Sequence, residues 1–421
     1  MPRKERSGIF CMFGTKYKPP TGLGGPLSNT WRLLLIGFFQ GLVPAYVIER
    51  LFWEQRGITI QQVVYCEIAY AIAVVLFEIP TGVLADKWSR KGMLVTHALL
   101  NCAEFLILIY ATEFWHFALV TFLAGIGTSA KSGSLHALLY DSLAMSGRQD
   151  DFEMHVGRLG ATDVAATVIA AVSGGFLADR WGFELNYWLS AGSSIVGLIL
   201  ALTLVEPDIR GHSPSAMPVT EYVARSVAFL RSHRQVARVV LTGMVLGAFI
   251  TYPDEFWQVY LHRLSVPMRY FGFFSVALYL GRGPAGISAF RLLKVFRHET
   301  LLTAIVGLTA LAFAVMVLPG ALGAVALVVV SSLYGLVEPI VSGYLHHSVD
   351  SQIRATVDSF QSLGVRAASI IVGLGFGYVA THFSIFKGFG FLAVLSAAYL
   401  VWFMMAVAGQ HRDTQEKRGK G

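Results

Sequence analysis

The stretch Gly82-Val83-Leu84-Ala85-Asp86-Lys87-Trp88-Ser89-Arg90-Lys91-Gly92-Met93-Leu94 is a short charged connection between two long apolar segments. Gly82, lacking a Cβ, is expected to let two helix backbones approach closely. Asp86 stands where a carboxylate meets a helix N-terminus or a basic partner, and Lys87, Arg90 and Lys91 place positive charge at one membrane face.

The rest of the chain has the composition this connection requires. Of its 421 residues, 55% are hydrophobic and 14% charged, with mean hydropathy +0.59. A soluble protein would carry about a quarter charged residues. Apolar segments near the bilayer-spanning length recur at about Thr30–Gln55, Thr59–Ala85, Gly92–Ala111, Phe114–Tyr140, His155–Ala178 and Phe183–Val205. A second set covers about Val236–His262, Met268–Phe290, Glu299–Leu318, Leu322–His347, Arg354–Thr381 and Phe386–Ala408. Together they make about twelve spans. The net charge of +7 does not indicate nucleic acid, because the basic residues cluster in the short connections. Alternating sides from a basic N-terminal tail puts roughly 25 Lys and Arg on the cytosolic face and about 6 outside, which predicts both termini in the cytosol. No cleaved signal peptide is expected. Cys11, Cys66 and Cys102 have no metal-ligand spacing.

The connection resembles the loop between helices 2 and 3 of the major facilitator superfamily, Gly-x-Leu-(Gly/Ala)-Asp-(Arg/Lys)-x-Gly-Arg-(Arg/Lys)-x-x-Leu. Gly82, Leu84, Ala85, Asp86, Lys87, Arg90, Lys91 and Leu94 fit, while Ser89 stands where glycine is usual. The resemblance implies an all-α integral membrane protein with twelve transmembrane helices in two pseudo-symmetric six-helix halves. Its parts would be a cytosolic tail (1–29), an N-terminal half (30–205), a linker (206–235), a C-terminal half (236–408) and a second tail (409–421). Within the linker, Val219–Ser232 reads as an amphipathic helix on the membrane surface. By resemblance, spans one, four, seven and ten line a central cavity and span three is scaffold. Gly82, Asp86, Arg90 and Asp141 would gate it, with Arg90 paired to Asp141 and Asp86 meeting the start of span eleven near Gln352–Thr356. Other family motifs are partial. Thr121 replaces the arginine of the fourth-span Arg-x-x-x-Gly-x-Gly pattern, and of the antiporter Gly-Pro-x-x-Gly-Gly only Gly174-Gly175 fits. Glu78-Ile79-Pro80-Thr81-Gly82, Ser132-Gly133-Ser134 and Tyr140-Asp141-Ser142 are similar to bacterial multidrug-type exporters.

An ionised side chain at a bilayer centre costs about 2.5–3.5 kcal/mol on insertion scales, so each one needs a partner, a wet cavity or a function. Glu49, Glu78, Lys131, Asp163, Asp254, Glu255, Arg282 and Glu338 are therefore the candidate substrate and proton pathway. Arg50, Glu67, Glu104 and Arg366 complete the intramembrane charges, and Glu104 is assigned to scaffold. Glu78-x-Pro-x-Gly and Arg282-x-Pro-x-Gly occupy comparable places in the two halves with inverted charge, and Arg282 is expected to face Asp163. Internal bridges that merely hold helices together, Lys131 with Asp163 among them, are the alternative. Glu338 reads as the deepest acid and, with Glu255, as the first choice for the proton carrier. Tyr46, Phe52, Trp53, Tyr252, Phe256, Trp257, Tyr260, Tyr334 and Tyr344 lie on the expected cavity helices, where aromatic faces beside carboxylates suit a lipophilic cation. Trp53, Trp257 and Tyr260 suit an interfacial aromatic belt equally.

The expected function is secondary active transport by alternating access: proton-coupled export of a hydrophobic or cationic small molecule from the cell inner (plasma) membrane. The alternative is proton-linked import of a metabolite or organic anion, for which Lys131 and Arg282 are candidate ligands. No Walker-type sequence is present, adjacent His346-His347 do not aim at one metal, and Ser132 with His136 makes only a loose hydrolase pair. No enzyme activity, cofactor, metal or nucleic-acid partner is expected. A monomer in the bilayer is, and a non-transporting sensor is the remaining reading.

Overall fold

The computed structural model describes residues 27–207, 228, 231–348 and 351–419. The expected surface helix at Val219–Ser232 lies almost wholly outside the described residues. Those described are helical, without strands: α1 Leu27–Gly41, α2 Glu49–Gln55, α3 Ile60–Lys87, α4 Arg90–Tyr110, α5 Phe114–Ala144, α6 Phe152–Trp181, α7 Glu184–Leu202, α8 Arg234–Arg263, α9 Phe271–Val295, α10 His298–Met316, α11 Ala321–Ser348, α12 Ser351–His382 and α13 Ile385–Gly419. Among the described residues, ten segments are long and apolar enough to cross a membrane. The polar stretches around Lys131 in α5 and Arg282 in α9 hold those two helices below that hydropathy, although their lengths of 31 and 25 residues suffice to span.

The first span is broken, where one continuous segment was expected. α1 stops at Gly41, a 3-10 turn follows over Pro44–Val47, and α2 starts at Glu49. Pro44 cannot donate to a helical ladder, and the Ala45 N–H that the break leaves over donates to Ser190 Oγ at 3.1 Å. The 82–94 loop is held by the linker. Ser89, in the place of a glycine, caps α4 by accepting from Gly92 N at 2.7 Å. Glu206 then accepts from Ser89 Oγ, Arg90 N and Lys91 N at 2.6–2.9 Å, so a carboxylate neutralises the positive end of that helix.

Within the first six spans α3 packs on α5, and α4 on α5 and α7; within the second set α9 packs on α11, and α10 on α13. The two sets meet where α3 crosses α12 and α6 crosses α9. These crossings lie at the face opposite the chain ends. There Gln61 N donates to Thr381 Oγ1 at 2.9 Å, Arg263 pairs with Glu54, and the first turn of α9 lies on Ala171–Gly175 of α6. Burial divides the same way. One apolar cluster runs through both sets at this face, from Phe52 and Trp53 to Phe376 and Phe389. Toward the chain ends each set keeps its own, around Leu138 in the first and Val306 in the second. A Cβ added at Gly82, Gly133, Gly157, Gly160, Gly283 or Gly343 would meet nothing within 4 Å. The close approach expected at Gly82 is therefore absent, because the helices splay at that end. The molecule is closed at one face and open at the other.

Candidate functional site: a charged passage between the two halves

Three cavities follow the seam. The first, about 540 Å³, lies among α3, α8, α11 and α12 and is lined by Glu67, Tyr252, Glu255, Tyr334, Glu338 and Arg366. The second, about 480 Å³, lies among the first span, α6, α8 and α9, with Tyr46, Glu49, Asp163, Asp254, Trp257 and Arg282 on its wall. The third, about 330 Å³, lies on the side of the first six spans between Glu49, Glu67, His97 and Glu104, with Glu255 of α8 closing its edge. Glu255 borders all three.

Arg50, named above only among the intramembrane charges, organises this junction. The break after Gly41 releases the first span from a straight path, and α2 carries Arg50 inward until it is 5% exposed. Its guanidinium pairs with Glu255 on α8, with Glu67 on α3 at 2.7 Å and with Glu49 at 3.6 Å, and it lies over Trp53 at 4.5 Å. Its backbone N–H donates to Gln258 Oε1 at 2.9 Å, and Gln258 Nε2 donates to Tyr46 O at 2.8 Å. This residue thus ties α2 to α8 across the seam by side chain and backbone together.

Arg282 pairs with Asp254 on α8, not with Asp163 on α6, and donates from Nε to Ser331 Oγ at 2.7 Å. The partner lies in the same half because α9 packs along α11, bringing Ser331 and Tyr334 beside it. Asp163 remains on the wall of the second cavity, 3.0 Å from where a Cβ on Gly41 would stand. Neither it nor Lys131 makes an ion pair within 4 Å among the described residues, so the alternative of a structural bridge between them is not realised. Glu338 is exposed and lines the first cavity, and Glu78 is exposed on α3 and borders none of the three. Glu104 corrects the scaffold assignment: it is 8% exposed and lines the third cavity. At the open end, Arg90 pairs with Asp141 and, at 3.6 Å, with Asp86; the side chains of Gln352–Thr356 lie outside the described residues.

The aromatics separate into two groups. Tyr46, Tyr252, Trp257 and Tyr334 border the first two cavities, and Tyr344 borders a separate pocket beside His298 and Glu299. Phe52, Trp53, Phe256 and Tyr260 are fully buried in the closed-face core, Phe52 against Tyr187 at 4.0 Å and Trp53 against Phe117 at 4.8 Å. They belong neither to a passage nor to a lipid-facing belt, since helix packing at the closed face covers them.

The profile of the Major Facilitator Superfamily matches residues 33–373. The chain belongs to that superfamily. Its fold is therefore the superfamily's, twelve spans in two six-helix halves. An uncharacterized transporter of Buchnera aphidicola is 29% identical over 136 residues, 32% of this chain and 33% of that protein. The multidrug resistance protein MdtG of Klebsiella pneumoniae is 24% identical over 230 residues, 53% of this chain and 52% of MdtG. These superfamily relatives are thus matched over a third to about half of their length. Among solved structures, the nucleoside transporter NupG aligns with TM-score 0.71 at 16% identity, covering 89% of this chain and 98% of its own. A bacterial homolog of the lysosomal transporter Spinster, crystallised inward-facing and unoccupied, aligns at 0.66 with 16% identity, covering 91% and 95%.

Proposed function

We propose that this superfamily member exports a hydrophobic or cationic small molecule across the inner membrane in exchange for protons, with both termini in the cytosol and this conformation open to the inside. One observation carries the reading: around Arg50 stand four carboxylates, Glu49, Glu67, Glu104 and Glu255, beside cavities that aromatic rings also line. Burying uncompensated charge is costly, so the excess has to be balanced by protons or by a cationic guest. Tyr46, Trp257 and Tyr334 offer the π faces such a guest favours. The similarity to MdtG, named for multidrug resistance, supports the same direction. In this reading Asp86, Arg90 and Asp141 at the open end serve as an inner latch, supported by the Arg90–Asp141 and Arg90–Asp86 pairs.

In proteoliposomes with an imposed pH gradient, tetraphenylphosphonium should move opposite to the protons, and collapse of the gradient should stop it. Absence of gradient-driven movement of this and other lipophilic cations would overturn the proposal. A second reading, import of an organic anion with protons, draws on Arg366, which faces the first cavity without an ion-pair partner among the described residues. Gradient-driven uptake of a carboxylate in the direction of the protons would select it.

A further inference from the structure

We propose that the first cavity is built for an amphoteric guest: a small molecule that carries a cationic centre and a carboxylate on one apolar body, held between Glu338 and Arg366. This rests on the export reading and adds which cavity takes a guest of two charges, and by which residues.

The charges along the passage are not equally free. In the first cavity Glu67 and Glu255 are both bonded to Arg50. Glu338 on α11 and Arg366 on α12 line that same cavity, and neither has an ion pair or a side-chain hydrogen bond among the described residues. The second cavity differs. There Arg282 is bonded to Asp254 and Ser331, and Arg50 pairs with Glu49 and Glu255, so that among the described residues Asp163 is the charge left over. One free carboxylate suits a simple cation. A free carboxylate and a free guanidinium in one cavity suit a guest that brings both charges.

The two charges are also set apart along the passage. α11 ends at Ser348 and α12 starts at Ser351, so the two helices begin from nearly the same depth at the open end. At 1.5 Å of rise per residue, Glu338 lies about 15 Å and Arg366 about 22 Å in from there, an offset of about 7 Å. Tyr334 stands one turn before Glu338 on the same face of α11. Tyr252 of α8 donates to Ser369 O and stacks on Phe376 at 5.0 Å, which fixes it as wall. The volume of about 540 Å³ falls within the roughly 300–1,000 Å³ of pockets that take drug-sized molecules. While the cavity is open, water solvates both charges. Closure removes that water, and a charge buried without a partner is costly. A simple cation answers Glu338 and leaves Arg366 facing it, and a simple anion does the reverse. Emptied, the narrowing cavity lets Glu338 and Arg366 meet each other, so a guest has to present both charges to replace that pairing.

Rhodamine B carries a xanthylium cation and a carboxylate on one aromatic body, and its ethyl ester keeps the cation alone. Fluorescence anisotropy of each dye with full-length protein in nanodiscs at neutral pH, relative to empty nanodiscs, compares the two guests. The parent should bind rhodamine B at least about tenfold more tightly than the ester, the worth of one hydrogen bond between charged groups. Arg366→Gln should reverse the preference, losing rhodamine B about tenfold while binding the ester more tightly, a gain that a damaged fold does not produce. Arg366→Lys, which keeps the charge, should retain the preference, and Glu338→Gln should weaken both dyes. Equal binding of the two dyes by the parent, tighter binding of the ester, binding of neither, or an unchanged preference in folded Arg366→Gln protein would each overturn the proposal. The parent's own ratio decides even without the variants. Gradient-driven movement of tetraphenylphosphonium together with equal dye binding keeps the export reading and removes the amphoteric site. A preference for rhodamine B with no gradient-driven movement of any lipophilic cation keeps the site and removes the export reading.

Discussion

Gly272→Ala isolates the mechanical part of the closed face. Gly272 is the second residue of α9, and a Cβ there would lie 2.5 Å from Val172 Cα and 2.6 Å from Ala171 C of α6, where ordinary contact is 3.4–4 Å. The atoms it meets are backbone and have no rotamer to change, so the two helices must separate by about 1 Å. Overpacking of this kind costs about 1–3 kcal/mol. Because α6 and α9 belong to different halves, opening this face relieves the strain without disturbing the interior of either half. That energy corresponds to a shift of about 5- to 150-fold toward the state open here. A cysteine at Thr167, on the wall of the second cavity, reports it: an impermeant maleimide added to the closed side should label Gly272→Ala protein at least several-fold faster than the parent. Gly175→Ala, whose Cβ would meet Met268 O at 2.9 Å, should do the same more weakly. Parent-rate labelling in well-folded Gly272→Ala protein would refute the claim that glycine-on-backbone contact holds this face shut.

Three further outcomes are expected. Glu255→Gln and Glu338→Gln should each abolish proton-driven accumulation, with substrate exchange surviving in at least one; accumulation by both would move coupling to other acids. Asp86→Asn should lower initial transport rates far more than protein abundance, and wild-type rates in folded protein would remove the latch. A double-mutant cycle of Arg282→Ala with Asp254→Asn should show coupling of about 0.5–3 kcal/mol in thermal stability, whereas Arg282→Ala with Asp163→Asn should be additive; the reverse result would contradict the pairing described above.

How much of this was legible in the sequence depends on distance along the chain. The spans follow from runs of apolar residues, and the 82–94 loop follows from charges packed between two of them, both local patterns. The break in the first span was also written locally, in Gly41 and Pro44, yet unbroken hydropathy across 30–55 concealed it. Partners were the harder part. Arg282 and Asp254 are 28 residues apart and Arg50 and Glu255 are 205 apart, so nothing in either neighbourhood specifies the pairing. Glu104 was set aside because its helix is scaffold in the family, yet α4 also borders α5 and α7, and its inner face reaches the cavity. One signal was available: Glu49, Glu67, Glu104 and Glu255 outnumber the basic residues at their depth, and that imbalance forecasts a charged site even when its geometry is unknown.

Two of the contacts that hold the closed face differ in physical kind. At α6 and α9, backbone meets backbone at glycines, a contact that no change of protonation alters. At α2 and α8 an ion pair and its flanking hydrogen bonds do the holding, and their strength depends on charge. A ligand shifts a conformational equilibrium only through its differential interaction with the two states, so a proton can act on the second contact and not on the first. Steric and ionic perturbations should then separate. Gly272→Ala should displace the opening equilibrium by the same factor at every pH, whereas Glu255→Gln should flatten its pH dependence. Since the two crossings share no side chain, their effects in the double variant should add to within about 0.3–0.5 kcal/mol. A large departure from additivity in the labelling equilibrium would mean that the halves close as one coupled surface, and the separation of the ionic tie from the glycine crossing would have to be abandoned.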